Sequence, residues 1–226
     1  MSIEEKKILP FSQKYNSEHA QQYFVKHNNG LWRRLSNWRD HQVARKALNI
    51  AGEPQTVLDM PCGTGRFWAL LAEDPKREIR IMDYSQDMID TGIKLRTNSV
   101  VERITSLGQG SAFNIKLADK SVENVFCIRL LHHIGGRDDR LKVLSELYRV
   151  STSTAIISLW VDGNFKSWKR QRMESKRLTR QYQNRFVIPR RVIEQEMEEV
   201  GFKIKIKNKI DFLPLFSMWR TYILEK

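Results

Sequence analysis

Apolar and polar positions change period along this chain in a way that alternates short strands with helices. Val57-Leu58 leads into Asp59, which predicts a strand at 56–59, and Phe67, Leu70 and Leu71 then space out as one face of a helix from about 64 to 72. Ile79, Ile81 and Met82 form a second short strand ending at Asp83, and Ser85 caps a helix that presents Met88, Ile89 and Ile93. Residues 122–128 (Val-Glu-Asn-Val-Phe-Cys-Ile) and 154–159 (Thr-Ala-Ile-Ile-Ser-Leu) are the apolar runs of strands buried on both faces. Between them, Leu141, Leu144, Leu147 and Tyr148 share one face of a helix over about 137–150. Residues 17–50 read as helix, broken by Gly52-Glu53-Pro54, and the stretch after Gly108-Gln109-Gly110 reads as irregular. Pro189 opens a helix carrying Val192, Ile193, Met197 and Val200, which stops at Gly201. Phe202, Ile204 and Ile206 then alternate with lysines as a half-exposed strand, and a last strand spans about 218–224. This alternation predicts a doubly wound α/β sheet in a single domain, with ligands at the carboxyl ends of the strands.

The chemistry concentrates in Asp59-Met60-Pro61-Cys62-Gly63-Thr64-Gly65-Arg66, where a strand ends at a carboxylate and a glycine turn opens a helix. Glycine serves where the backbone takes positive φ or approaches a ligand without a Cβ. The third glycine of a dinucleotide fingerprint is absent, and no lysine-serine or lysine-threonine pair makes a phosphate loop. A carboxylate repels phosphate at a helix N-terminus, so a ligand with positive charge and hydroxyls fits better.

Composition adds two constraints. Lys and Arg outnumber Asp and Glu 39 to 26, a net charge of +13. That points to an anionic partner, whether nucleic acid, phosphorylated small molecule or lipid surface, with a solvated basic face as the plain alternative. Cys62 and Cys127 lie in segments that read as buried, neither has a metal-ligand partner nearby in sequence, and the N-terminus is charged rather than signal-like. The expected setting is the cytoplasm, or the inner face of a membrane as a peripheral protein, with no metal.

The turn and three later segments together resemble the class I S-adenosylmethionine-dependent methyltransferases. The likeness covers about residues 54–160 and is strongest to the group of ubiquinone and menaquinone C-methyltransferases. Asp59, Gly63 and Gly65 match that family's first motif, with Pro61 and Arg66 standing where it has glycines. Asp83 matches the acid that holds both ribose hydroxyls, flanked by Tyr84 and Met88. Gly110-Ser111-Ala112-Phe113 matches the segment beside the adenine, with Ser111 where an aspartate is usual, and Cys127 to Ile134 matches the segment that closes over the methionine part. The resemblance implies a Rossmann-like seven-stranded sheet with an antiparallel last strand and helices on both faces. It also implies S-adenosylmethionine as cofactor, S-adenosylhomocysteine as product, and cofactor contacts from Asp59, Pro61, Gly63, Gly65, Asp83, Tyr84, Met88, Ser111, Ala112, Phe113, Arg129 and Tyr23.

The implied reaction is in-line methyl transfer, in which His132 or His133 serves as base for a hydroxyl acceptor or only shapes the pocket. Acceptor choice falls to a helical cap at 1–50 and a basic lid at 162–191, where Lys166, Lys169, Arg170, Arg172 and Arg185 interleave with Trp160, Phe165, Trp168, Tyr182 and Phe186. An anionic small-molecule or lipid-like acceptor, RNA, a protein, or contact with an anionic membrane all suit such a segment. A non-catalytic cofactor-binding protein acting through its basic surface is the alternative from a different class.

Overall fold

Seven strands hydrogen-bond into one sheet in the order β3-β2-β1-β4-β5-β7-β6. The computed structural model describes residues 20–22, 30–175, 185–206 and 210–226. The strands are β1 (Thr56–Asp59), β2 (Glu78–Asp83), β3 (Ile104–Gln109), β4 (Val122–Ile128), β5 (Ser151–Trp160), β6 (Lys203–Ile206) and β7 (Trp219–Glu225). β1 to β5 run parallel, and β7 pairs antiparallel with both β5 and β6. From β1 the chain builds outward through β2 to β3, then crosses to β4 on the other side of β1. The reversal opens a crevice at the carboxyl ends of β1 and β4.

Central strands are apolar throughout because both of their faces are covered. Val125 and Cys127 of β4 join Ala155 and Ile157 of β5 in one core layer, whereas Phe126 and Ile156 join Val57 in the other. Successive residues thus enter opposite layers, as a strand's period of two requires. Helix α1 (Leu31–Ile50) buries Ala44, Ala47 and Leu48 in the Phe126 layer. Short helices α2 (Trp68–Leu71), α3 (Gln86–Leu95) and α4 (Asn98–Val101) come next in the chain. Helices α5 (Arg137–Val150) and α7 (Arg190–Glu199) bury Leu144, Leu147, Ile193 and Met197 in the opposite layer. Helix α6 (Phe165–Ser175) lies between β5 and α7 in the chain.

Three elements and one core position differ from the sequence reading, each for a local reason. Residues 64–67 are turn and only Trp68–Leu71 is helical, because Gly63 and Gly65 hold positive φ and delay the helix. β3 ends at Gln109, ahead of the stretch expected to be irregular, and no element was expected over it; it is a polar edge strand whose Thr105, Ser106 and Leu107 are exposed, so no buried period marks it. α1 begins after Gly30, whose φ of +89° is outside the helical range, so 17–50 is not one helix across the described residues. On α5, Val143 takes the core position expected of Leu141.

The 162–191 segment leaves and returns at one point. Val161 bridges Ile188, and Asp162 Oδ1 accepts from the Arg190 N–H at 2.9 Å. Asn164 caps α6, its Oδ1 accepting from the Ser167 N–H at 2.9 Å while the Ser167 Oγ lies 3.2 Å from its own N–H.

Candidate active site

β1 delivers Asp59 to the crevice, and the glycine turn folds back over it. The Cys62 N–H bonds the Met82 carbonyl at 3.0 Å and the Gly65 N–H bonds the Cys62 carbonyl at 3.1 Å. Gly63 (φ +56°) and Gly65 (φ +70°) occupy the left-handed region that side chains disfavour. Their second reasons differ. A Cβ on Gly65 would stand 2.4 Å from the Trp68 ring, so this glycine is required by packing. The nearest atom to a Cβ on Gly63 is Met88 Cε at 3.7 Å, so that face has room for a ligand.

Asp83 ties the crevice together. Its Oδ2 accepts from the Gly63 N–H at 2.8 Å and its Oδ1 from the Ser85 N–H at 2.9 Å, while its carbonyl accepts from the Gly110 N–H at 2.9 Å. The last bond brings Ser111, Ala112 and Phe113 alongside. The Ser85 Oγ accepts from the Met88 N–H, the Tyr84 carbonyl accepts from Gln109 Nε2, and the Ser111 Oγ is engaged by the Phe113 N–H. Asp59, Pro61, Gly63, Gly65, Asp83, Tyr84, Met88, Ser111, Ala112 and Phe113 therefore gather at the carboxyl ends of β1 to β3. Tyr23 lies outside the described residues.

Two buried carboxyls stand next to each other here with no cation paired to either among the described residues. Burial pushes the Asp59 carboxyl well above the ordinary carboxylate range, and the neighbouring Asp83 charge adds to the rise. Asp83 is also raised by burial, held back by the backbone N–H groups of Ser85, Gly63 and Tyr84. The Asp59 Oδ2 is buried with no hydrogen-bond partner among the described residues beyond the facing Trp68 indole, which partly offsets the rise. A ligand bringing positive charge and a pair of hydroxyls satisfies this site, whereas a phosphate does not. S-adenosylmethionine has those groups, and the residues present fit it.

A second cluster lies beyond β4. Arg129 takes a left-handed backbone (φ +67°), costly for a residue with a side chain. Its N–H is held by the Ser158 carbonyl (3.1 Å) and Oγ (3.2 Å). Its guanidinium is ion-paired to Asp40 and stacks on Trp219 at 4.6 Å. Asp40 also takes Arg66 at 2.7 Å, and Arg66 Nε donates to Asn37 Oδ1 at 2.8 Å, so α1 is fastened to the glycine turn. Three arginines hold the Asp40 carboxyl below its usual range despite burial. The side chain of Arg129, a residue the resemblance puts among the cofactor contacts, faces α1 and β7.

His132 is the buried centre of this cluster. Its ring lies 4.1 Å from His133 and 5.0 Å from both Trp160 and Trp219. The Arg170 and Arg185 guanidiniums cover the Trp160 ring at 4.7 and 5.6 Å. Burial drives His132 well below the usual histidine range, and the surrounding charges of His133, Arg185, Arg129 and Arg170 add to it. Its imidazole is neutral, with Nδ1 buried and unpartnered among the described residues. His133 is only half-buried.

Sequence reasoning missed Asp40 and Trp219. Nothing in their local spacing marks them: Asp40 meets Arg129 across 89 positions, and Trp219 meets Trp160 only through the antiparallel register of β5 and β7. Cys62 and Cys127 are buried free thiols, both raised by burial. No group of His, Cys, Asp and Glu among the described residues is arranged to hold a metal, and no helix among them is long and apolar enough to cross a membrane.

Residues 57–153 match a methyltransferase domain family. The O-methyltransferase resE of Aspergillus sclerotiorum is 25% identical over 123 residues, covering 54% of this chain and 46% of that protein. The chain thus spans about half the length of the curated relative it matches. The magnesium protoporphyrin IX methyltransferase of Synechocystis PCC 6803, solved with bound SAH, superposes with a TM-score of 0.73 at 13% identity, over 95% of this chain and 97% of that one. A possible histamine N-methyltransferase of Thermotoga maritima gives 0.59 at 17% identity, over 92% and 99%. At such identities the superpositions speak for the fold.

Proposed function

We propose that this chain, which belongs to the class I S-adenosylmethionine-dependent methyltransferases, transfers the methyl group to an anionic small-molecule or lipid-like acceptor. The acceptor sits at the carboxyl ends of β4 and β5. The observation that carries the reading is the convergence of Arg129, Arg170 and Arg185 over the paired rings of Trp160 and Trp219. Guanidiniums bind carboxylate or phosphate through paired N–H donors, and indole faces take a planar or aliphatic body.

S-adenosylmethionine supplies, when bound, a methyl group on a sulfonium centre open to in-line displacement. The chain's own part is alignment and exclusion of water. Asp83 Oδ2 accepts from the Gly63 N–H and Oδ1 from the Ser85 N–H, with the Tyr84 N–H also facing the carboxylate, and the remaining lone pairs can take a cis-diol. Asp59 offers its Oδ2 to positive charge, and Gly63 lets the backbone come close. Asp40 sets Arg129 beside the acceptor and Arg66 beside the turn, so one carboxylate couples the two halves of the site. His133, the more open of the two histidines, receives the proton of a hydroxyl acceptor, and His132 supports its ring.

Labelled methyl from S-adenosylmethionine, incubated with the protein and fractionated cell extract, should enter the small-molecule or lipid fraction. Replacing Arg170 and Arg185 together by alanine should lower kcat/KM for that acceptor by about 10- to 100-fold, since a hydrogen bond to a charged group contributes about 1.5–3 kcal/mol. Cofactor affinity should be unchanged. Label in RNA or protein would overturn the acceptor class, and cofactor binding without transfer to any fraction would favour a non-catalytic binding protein.

A further inference from the structure

We infer that the protein docks on an anionic lipid bilayer through the face that surrounds the acceptor cluster. Eleven of the thirteen large hydrophobic side chains exposed among the described residues fall on three segments, 31–38, 165–173 and 212–216. Isolated exposed hydrophobics need no explanation, but a concentration of this kind marks an interaction surface. Trp32 is 81% exposed and Leu215 73%, so the described residues leave both side chains open.

The three segments form one face. Trp32, Trp38, Lys166, Phe212 and Trp219 line a single open groove of about 570 Å³. The Trp38 and Phe212 rings meet edge-on at 6.3 Å, and the Phe165 N–H donates to the Leu215 carbonyl at 2.9 Å. The groove shares Trp219 with the arginine cluster, so a molecule carried in a bilayer has a short path to the acceptor position.

Charge selects the occupant. Arg34, Lys166, Lys169 and Arg172 are exposed between the hydrophobic side chains. The three segments themselves contain no acid, and the acids that flank them are turned to partners: Asp40 to Arg66 and Arg129, Asp162 to the Arg190 N–H, Glu174 to Arg170, and Asp211 to Arg220 and the Thr221 N–H. The face therefore offers cations beside tryptophans and aliphatic tips. Single-stranded nucleic acid uses cations and aromatic rings but has no use for exposed Leu213, Leu215 and Met173. A bilayer takes all three classes: lysine and arginine at the headgroups, tryptophan at the interface, leucine and methionine at the acyl boundary. The docking surface stands independently of the acceptor; only the path from the bilayer rests on that reading.

The test is flotation of the full chain with vesicles of phosphatidylcholine alone or mixed with phosphatidylglycerol. Binding is expected to the mixed vesicles only, and to weaken as salt screens the headgroups. The pair Trp32→Ser and Leu215→Ser, outside the cofactor crevice and the arginine cluster, should lower the bound fraction at least tenfold. Lys166→Glu with Lys169→Glu should lower partition by about fivefold or more per residue. Both variants should bind S-adenosylmethionine as the parent does. No binding to anionic vesicles, equal binding to neutral ones, a dimer that hides the face, or retention by the Trp32/Leu215 pair would each overturn the proposal. Loss of cofactor binding in the parent chain would instead count against the methyltransferase reading and leave the vesicle result standing.

Discussion

Asp83→Ala should weaken S-adenosylmethionine binding by at least about 100-fold. The change removes both carboxylate oxygens that face a diol, and hydrogen bonds to a charged acceptor contribute about 1.5–3 kcal/mol each. It also leaves the Gly63 and Ser85 N–H groups without their acceptor, at about 1–3 kcal/mol per buried donor. The fold should therefore lose stability as well, so calorimetry belongs at a temperature where circular dichroism shows the variant folded. Asp83→Asn should be intermediate, because one of the two backbone donors would then face the amide nitrogen. Unchanged affinity in a folded Asp83→Ala protein would remove Asp83 from the cofactor site.

The second large effect is on stability and reaches the acceptor side through packing. Arg140 and Glu196 form a bidentate pair at 2.8 and 2.6 Å in which Glu196 is almost fully buried. Arg140 also donates to the Ile134 and Gly135 carbonyls at 3.2 and 2.7 Å, which pins the chain immediately after His132 and His133. Breaking a buried pair by removing one partner costs about 3–5 kcal/mol, because the other charge stays buried and unpaired. Glu196→Ala should therefore lower Tm by roughly 10–15 °C for a chain of this size. Replacing Arg140 and Glu196 together by methionine should recover most of that loss, since apolar side chains of similar volume leave no orphaned charge. A Glu196→Ala protein with parental Tm would show that the pair contributes little.

What could be read from the sequence was what depends on neighbours in the chain. The glycine turn, the acids closing β1 and β2, the Ser85 cap and the apolar runs of β4 and β5 are local patterns, and the structure reproduces them. β4 even keeps its expected ends at Val122 and Ile128. β3 was illegible because an exposed polar edge strand has no buried period to reveal it. The ion pair of Arg129 with Asp40 was not readable, because Asp40 is a helix residue that only the folded chain brings near. The pairing of Trp160 with Trp219 likewise depends on the antiparallel register of β5 and β7. The residues of the glycine crevice lie in short loops and were readable; of the arginine–tryptophan cluster, Trp160, Arg170 and Arg185 were readable as a basic aromatic segment, whereas Asp40 and Trp219 join it only through the fold.

Calorimetric titration of the unmodified chain with S-adenosylmethionine tests whether the crevice of Asp59 and Asp83 holds a cationic methyl donor. Asp59 is raised by burial and is protonated in the empty site over a range where a free carboxyl would be ionised. A positive charge seated beside it favours the ionised form, so binding should release a proton below the raised value and tighten as pH climbs toward it. The expected result is saturable binding at one site, with a heat that depends on the ionisation enthalpy of the buffer and loses that dependence in Asp59→Asn. Absence of any binding heat at millimolar S-adenosylmethionine would rule out a methyl-donor site in this crevice.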